Sequence, residues 1–362
     1  MEGIIKMRVG LITLVDHYNY GNRLQCYASQ YVLEQNNCEV TCFYTDKTVH
    51  LYCIYVLTFL FRTVFRVFSV IKNKFKKLLK FKAFDREYFH MSCDLVKRRL
   101  HTDDYDFFVV GSDQVWNPNW YRGVKAEAFL LAFAEREQKV CMAPSFGISE
   151  LPEEWKPHFK KYLNDFKYLS VREKEGAKII RELTGREAEV VIDPTLMLDA
   201  SEWRRIEKKS KARKEGKKYI LKYFLGVQFP NNVEYINKIA HQYDYQILEL
   251  MQTDQPDVFV SGPSEFIDLV DHAELICTDS YHACIFSILF DKPFLVFDRY
   301  SNKVKMNSRI NTLLSTLDLK RRLPGQVKDE DIFEHDYMHT YELLEIERDK
   351  AKKFLKKSLN ID

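Results

Sequence analysis

The residues best suited to chemistry stand where apolar runs end. LICTDSYHACIFSILF (Leu275–Phe290) closes a β-rich run on Thr278, Asp279 and Ser280, and puts His282 in the first turn of an apolar helix. Open α/β sheets bind ligands beyond the carboxyl ends of their strands, where this histidine places an imidazole. It can act as acid, base or anion ligand. A lone histidine is more often structural, but the company of Asp279, Ser280 and Tyr281 at a strand-to-helix junction shifts the reading toward function. Past the following strand, Arg299, Lys303, Lys305 and Arg309 can neutralise an anionic ligand or merely solvate a loop.

Other strand ends carry similar groups. DYDFFVVGSDQVWNP (Asp104–Pro118) runs from an apolar core into Gly111, Ser112, Asp113, Gln114 and Trp116, an unusual concentration of carboxylate, amide and indole for a connecting loop. Two roles are open for Asp113: orienting or deprotonating a substrate hydroxyl, or capping the next element. APSFG (Ala143–Gly147) has the same form and suits a second backbone wall. Arg172, after YLSV, has a planar fork that fits phosphate or carboxylate, although spacing alone favours an ion pair with Glu173 or Asp193. Asn19, Tyr20 and Gly21 open a helix after the first strand, a place suited to an anion or to an ordinary capped turn. P-loop, G-x-G-x-x-G, G-x-S-x-G and H-E-x-x-H patterns are all missing, and no spaced His/Cys set suggests a metal.

These groups need a scaffold of alternating strands and helices. The strands expected are Arg8–Leu14, Glu39–Tyr44, Phe107–Val110, Val140–Pro144, Tyr168–Val171 and Val190–Ile192, then Lys218–Leu225, Tyr245–Leu250, Leu275–Thr278 and Pro293–Phe297. Several are continuous apolar runs, the mark of parallel strands buried on both faces. Helices are expected over Asn22–Gln35, Glu173–Leu183, Asn232–Tyr243 and Tyr281–Phe290. The fold class is therefore α/β with doubly wound sheets.

The chain has 362 residues, enough for two domains. We expect an N-terminal domain over residues 1–200, a charged linker over 201–218, a C-terminal domain over 219–325 and a helical tail over 326–362. With 46% hydrophobic residues, disorder is excluded as the dominant state. A net charge of +3 from 55 basic and 52 acidic residues argues against a nucleic-acid partner. Eight cysteines without a C-x-x-C pair read as buried thiols of a reducing compartment. MEGIIKMRVGLITLV reads as a first strand rather than a signal peptide, so the expected location is the cytoplasm.

One segment departs from the average. Lys47–Phe84 holds nine basic residues and no acidic one. Arg62 and Arg66 interrupt its apolar run short of the roughly 20 residues a membrane span needs. It reads as a basic amphipathic insertion, able to lie on an anionic membrane or to pack on the core with a solvated lysine face.

The ordered set GLITL, NYGNRLQCYA, FFVVGSDQVWNP, APSFG, LSVREKEGAKII, VVIDPTLML, YFLG, ICTDSYHACIFSILF and MNSRINTLL resembles the polysaccharide pyruvyl transferase family. The resemblance runs from about Val9 to Leu314. It implies two Rossmann-like domains of GT-B type with an active-site cleft between them. It also implies transfer of a 1-carboxyethylidene (pyruvate ketal) group from phosphoenolpyruvate to a sugar, with release of phosphate. Under it, His282, Arg172 and Asp113 are the catalytic candidates. Arg172, Ser280, Tyr281, His282 and Lys303, with Lys305 as an alternative lysine, would bind the donor. Asn19, Tyr20, Gly21, Asp113, Gln114 and Trp116 would bind the acceptor, with Asp113 or Asp16 taking the hydroxyl proton. Family members often carry glycine where this chain has Ala283. No metal or cofactor is demanded. The partners expected are phosphoenolpyruvate, a sugar acceptor of lipid-linked or polysaccharide kind, and the anionic inner face of the cell membrane. Two competing readings are a GT-B glycosyltransferase using a nucleotide sugar and a non-catalytic carbohydrate-binding module at the membrane surface.

Overall fold

A computed structural model describes residues 6–15, 18–43, 65–97, 99–121, 126–301, 304–305, 308–319, 322, 324 and 327–361. The chain forms two compact units: Met1–Val67, Asp85–Met197 and Glu347–Asp362 make unit 1, and Phe68–Phe84 and Leu198–Ile346 make unit 2. With only helices of eight residues or more labelled, the first stretch holds β1 (Met7–Ile12), α1 (Tyr20–Gln35), β2 (Cys38–Phe43), α2 (Phe65–Tyr88), β3 (Met91–Ser92), β4 (Phe107–Val110), β5 (Lys139–Cys141), α3 (Lys156–Leu163), β6 (Ser170–Val171), α4 (Lys174–Thr184) and β7 (Glu189–Val190). There follow β8 (Tyr219–Tyr223), α5 (Pro230–Gln242), β9 (Gln246–Glu249), α6 (Pro263–Asp271), β10 (Leu275–Thr278), α7 (Tyr281–Leu289), β11 (Phe294–Val296), β12 (Tyr300–Ser301), β13 (Val304–Lys305), α8 (Ser308–Thr316) and α9 (Met338–Ser358).

All ten expected strands and all four expected helices form, several with trimmed ends. β5 stops at Cys141 rather than Pro144, because Ala143 takes a positive φ of 51° and proline has no N–H to give the ladder. In unit 1 the sheet order is β3-β2-β1-β4-β5, all parallel, with β6 and β7 as a separate parallel pair. In unit 2 it is β11-β10-β8-β9, again all parallel. The apolar run of each central strand is thereby explained, since Phe107–Val110 and Leu275–Thr278 are buried throughout. Unit 2's core gathers Ile220, Ile236, Ile239, Leu275, Cys277 and Leu295.

Each sheet reverses its strand order once, at β1 with β4 in unit 1 and at β8 with β10 in unit 2. Loops leaving such a pair diverge to opposite faces and leave a crevice at the carboxyl ends, the usual ligand position in open sheets. The loop after β1 carries Asn19, and the loop after β4 carries Asp113. The loop after β10 carries Asp279 and Ser280, just before His282.

Two segments differ from expectation. The stretch 201–218, expected as an exposed connection, is tied into unit 2: Ser210 and Ala212 are buried, Ser210 N donates to Asp268 Oδ2 at 2.8 Å, and Arg213 Nη2 lies 2.7 Å from Asp268 Oδ1. Its lysines nevertheless remain exposed, as expected. The helical tail is likewise packed, with Glu347–Asp362 in unit 1, where Arg348 Nε donates to Leu196 O at 2.7 Å.

Residues 47–64 of the basic insertion lie outside the described residues, and the rest forms α2. Its inner side holds Lys77, Phe81 and Phe84, all buried. Lys77 Nζ sits 4.7 Å from the centre of the Phe259 ring, and Lys80 pairs with Glu265. Six of the seven described cysteines are buried, all as free thiols, and burial raises the thiol pKa of Cys277 and Cys284. Among the described residues no helix is long and apolar enough to cross a membrane.

Candidate active site

At the strand-order reversal of unit 1, the loops after β1 and β4 are bound together by side chains. Asn22 Nδ2 donates to Asp113 Oδ2 at 2.5 Å. One turn on, Gln25 Nε2 donates to Thr13 Oγ1 at 2.8 Å while its Oε1 accepts from Ser112 N at 3.0 Å. Gly111 has a φ of +118°, and a Cβ there would lie 2.3 Å from Met142 O, so only glycine allows β4 to turn this closely beside β5.

Arg172 stands at the centre. Its Nη2 donates to Asp113 Oδ1 at 3.0 Å, its Nη1 donates to Asp193 Oδ2, and Ser112 Oγ donates to the same oxygen at 2.7 Å. Both edges of the guanidinium thus go to carboxylates of this chain, and the side chain is fully buried. The ion pair with Asp193 matches one of the partners read from spacing. Glu173 does something else: its Oε1 accepts from Ser145 Oγ, Phe146 N and Gly147 N at 3.0, 2.8 and 3.0 Å, so a carboxylate holds the APSFG loop by its amides. Asp113 is neither a helix cap nor an open base. It accepts from Arg172, from Asn22 and, at 2.9 Å, from Gln114 N.

The acceptor candidates separate. Trp116 is core: its ring is fully buried against Phe146 and Phe166, and Nε1 donates to Phe129 O at 3.0 Å. A satisfied, buried indole offers no sugar-stacking face, which corrects the expectation for it. Tyr20 and Gly21 are buried in the first turn of α1, and Asn19 is its N-cap, accepting from Asn22 N at 3.3 Å. Gln114 lies against Gly147, where a Cβ would come 1.8 Å from Nε2. Its Nε2, and the Nδ2 of nearby Asn117, are buried with no acceptor in reach among the described residues. Native proteins rarely leave such donors unsatisfied, and each costs about 1–3 kcal/mol.

In unit 2, Asp279 is not a solvent-facing acid. Its Oδ1 accepts from Leu225 N at 2.7 Å and its Oδ2 from Gly226 N at 2.8 Å, clasping the loop after β8 to the end of β10. Burial pushes its carboxyl above the usual range, opposed by those amides and by Arg299. Thr278 Oγ1 donates to Tyr223 O at 2.5 Å and accepts from Ser280 N at 2.9 Å. Ser280 is the N-cap of α7 but makes no side-chain cap, and no acidic residue lies in the first turn. His282, 5% exposed, packs edge-on to Tyr281 at 5.4 Å, and the buried Arg309 of α8 lies 5.9 Å from the centre of the Tyr281 ring. An uncapped helix start, an imidazole and a buried guanidinium together favour an anion. Lys303 and Asp16 lie outside the described residues, as does the side chain of Lys305.

The sequence reading missed Asn22, Gln25 and Asn117. Asn22 and Gln25 had a signal, for they are amides three residues apart on one face of a buried helix. One set among the described residues, Glu207, Asp268 and His272, brings metal-ligating atoms together. Asp268 there is already paired with Arg213 and bonded to Ser210 N.

The family model for polysaccharide pyruvyl transferase matches residues 19–302. The chain belongs to that family. As a polysaccharide pyruvyl transferase family member it is of transferase class, and the match takes in α1, β4, β8 and β10. No curated protein matches the chain. Solved structures similar to it include a Listeria monocytogenes protein described as a UDP-N-acetylglucosamine 2-epimerase, at 11% identity and TM-score 0.50, covering 98% of this chain and 96% of that one. The UDP-GlcNAc 2-epimerase of Neisseria meningitidis is 12% identical with TM-score 0.49, over 98% and 99% of the two chains. The glycosyltransferase SnogD of Streptomyces nogalater is 9% identical with TM-score 0.39, over 98% and 100%. The likeness is one of fold: two Rossmann-like units of GT-B kind, as expected for the family.

Proposed function

We propose that this pyruvyl transferase family member moves a 1-carboxyethylidene group from phosphoenolpyruvate to two hydroxyls of one sugar, in a polysaccharide or a lipid-linked oligosaccharide, and releases phosphate. We assign the reaction to the cytoplasmic side of the membrane. The observation that carries the reading is the His282 corner, where a buried imidazole, the start of α7 and Arg309 converge beyond β10. A donor with a carboxylate and a phosphate needs such a set of cationic and amide donors.

In this reading His282 delivers a proton to the methylene carbon of the enol, and the double-bond electrons form the new C–H bond. The adjacent carbon becomes oxocarbenium-like and takes the first sugar hydroxyl, and the second hydroxyl replaces the departing phosphate. Two hydroxyl protons are released, balancing the one delivered to carbon and the one that leaves with phosphate. Arg309, Arg299 and the amides of α7 offset the charge of carboxylate and phosphate. Lys303 is a further donor-side candidate from the family pattern. On the acceptor side the unsatisfied amides of Gln114 and Asn117 donate to sugar oxygens. Arg172 and Asp113 then act as positioning residues, holding the loop that carries those amides. No step requires a metal.

The test is phosphate release by the pure protein given phosphoenolpyruvate and a capsule-type or lipid-linked acceptor, with the ketal methyl followed by proton NMR. Release that depends on both substrates supports the reading. A ligand at a hundredfold excess over its Kd stabilises a protein by about 2.7 kcal/mol. Thermal stabilisation by a nucleotide sugar but not by phosphoenolpyruvate, with no phosphate released, would replace this reading by the glycosyltransferase one. Stabilisation by a sugar alone, with no turnover, would replace it by the carbohydrate-binding one.

A further inference from the structure

We infer that the outward face of α2 is a docking surface for an anionic phospholipid membrane. Lys72, Phe75, Lys76, Leu79 and Ala83 follow one another at helical spacing and are all exposed. Opposite them, Lys77, Phe81 and Phe84 are buried. The helix is therefore fixed by its inner side, and its outer side is available. Of the seven large apolar side chains exposed among the described residues, two, Phe75 at 43% and Leu79 at 47%, sit on this face one turn apart. They are flanked by Lys72 and Lys76, with exposed Lys74 beside them.

Charge selects the occupant. The sequence from Lys47 to Phe84 contains no carboxylate. Of the acids close by, Glu265 is taken by Lys80 and Asp85 by Arg23, the latter at 3.1 Å, while exposed Glu87 lies one turn beyond Ala83, at the far end of the helix from Lys72. An aromatic and a leucine between lysines match the interface of an anionic bilayer, where apolar tips enter the headgroup boundary and ammonium groups stay with the phosphates. A protein partner recognised by Phe75 and Leu79 alone would not call for three exposed lysines around them. Lys77 and Lys80, which the sequence offers on equal terms with Lys72 and Lys76, point inward and take no part.

The test is sedimentation of the full chain with phosphatidylcholine vesicles, with and without phosphatidylglycerol. Binding is expected only to the anionic vesicles at low salt, with release as salt rises. Each lysine at such a surface raises partition about fivefold, so Lys72→Glu/Lys76→Glu is expected to lower it by a factor of about 30 or more. Phe75→Ser/Leu79→Ser is expected to weaken it with the charges intact. Lys352→Glu/Lys353→Glu, an equal charge change at exposed positions of α9, is expected to leave it unaltered. Indifference of wild type to anionic vesicles, equal losses from the α2 and α9 charge reversals, or retention of full binding by Phe75→Ser/Leu79→Ser would each overturn the inference. The readout is partition rather than turnover, so it stands or falls apart from the proposed reaction.

Discussion

Arg172 and Asp113, 59 residues apart in the chain, are joined by a buried bond of 3.0 Å between Nη2 and Oδ1. Since Asp193 takes the other edge of the same guanidinium, two buried carboxylates share one cation. Removing that cation leaves both uncompensated, and breaking a buried pair from one side costs about 3–5 kcal/mol. Arg172→Met is therefore expected to lower the free energy of unfolding by that amount, read as a lower urea midpoint at unchanged slope. Arg172→Lys should fall between, because an ammonium keeps the charge but cannot serve both edges. Wild-type stability in Arg172→Met would show that the clamp is not needed.

His282 makes the opposite prediction. His282→Asn keeps a polar group of smaller size at the start of α7, so the melting temperature should change little while turnover drops roughly 100- to 10,000-fold, the usual contribution of a general acid. Arg309→Met should instead raise KM for phosphoenolpyruvate more than it lowers kcat. Near-native turnover in a folded His282→Asn protein would remove the histidine from the chemistry.

Gln114 tests the acceptor side. Its Nε2 is buried without an acceptor, so replacing it by the similarly shaped methionine removes an unsatisfied donor. Gln114→Met is expected to be as stable as wild type or more so, yet to show a raised KM for the sugar and an unchanged KM for phosphoenolpyruvate. A loss of stability would mean that the amide is satisfied in solution by groups of the protein itself.

Lys77 sets a pH dependence. Burial depresses its pKa from 10.5 to about 7 in the folded state. Between those values the unfolded chain holds the proton and the folded chain does not, so stability rises with pH from about 7 to about 10.5. Lys77→Met should raise stability at neutral pH and flatten that rise, as measured by urea unfolding across the alkaline range.

Strand positions and their parallel pairing were legible, because runs such as FFVV and LICT are apolar without alternation. The two loops that matter were also visible as polar residues placed after such runs. What the sequence concealed is pairing at a distance. Nothing in spacing distinguishes Glu173, which gathers three donors of the 145–147 loop, from Asp193, which takes Arg172. Trp116 looked like a binding residue for the same reason: an indole beside polar groups reads alike whether it faces a sugar or the core. In α2 the lysine pattern was evident, but which lysines turn inward depends on Phe259 and Glu265, residues nearly two hundred positions later.

The interleaving of the two units bears on how the chain is made. Phe68–Phe84 belongs to unit 2, yet leaves the ribosome before most of unit 1; Glu347–Asp362 belongs to unit 1, yet emerges after all of unit 2. Domains generally fold as they are synthesised, N-terminal ones first. Here the early product lacks Arg348 and its bond to Leu196 O, and the apolar inner side of α2 waits for partners still untranslated. Neither half can be excised with one cut, and a nascent chain halted near residue 200 should be a client for chaperones rather than a finished domain.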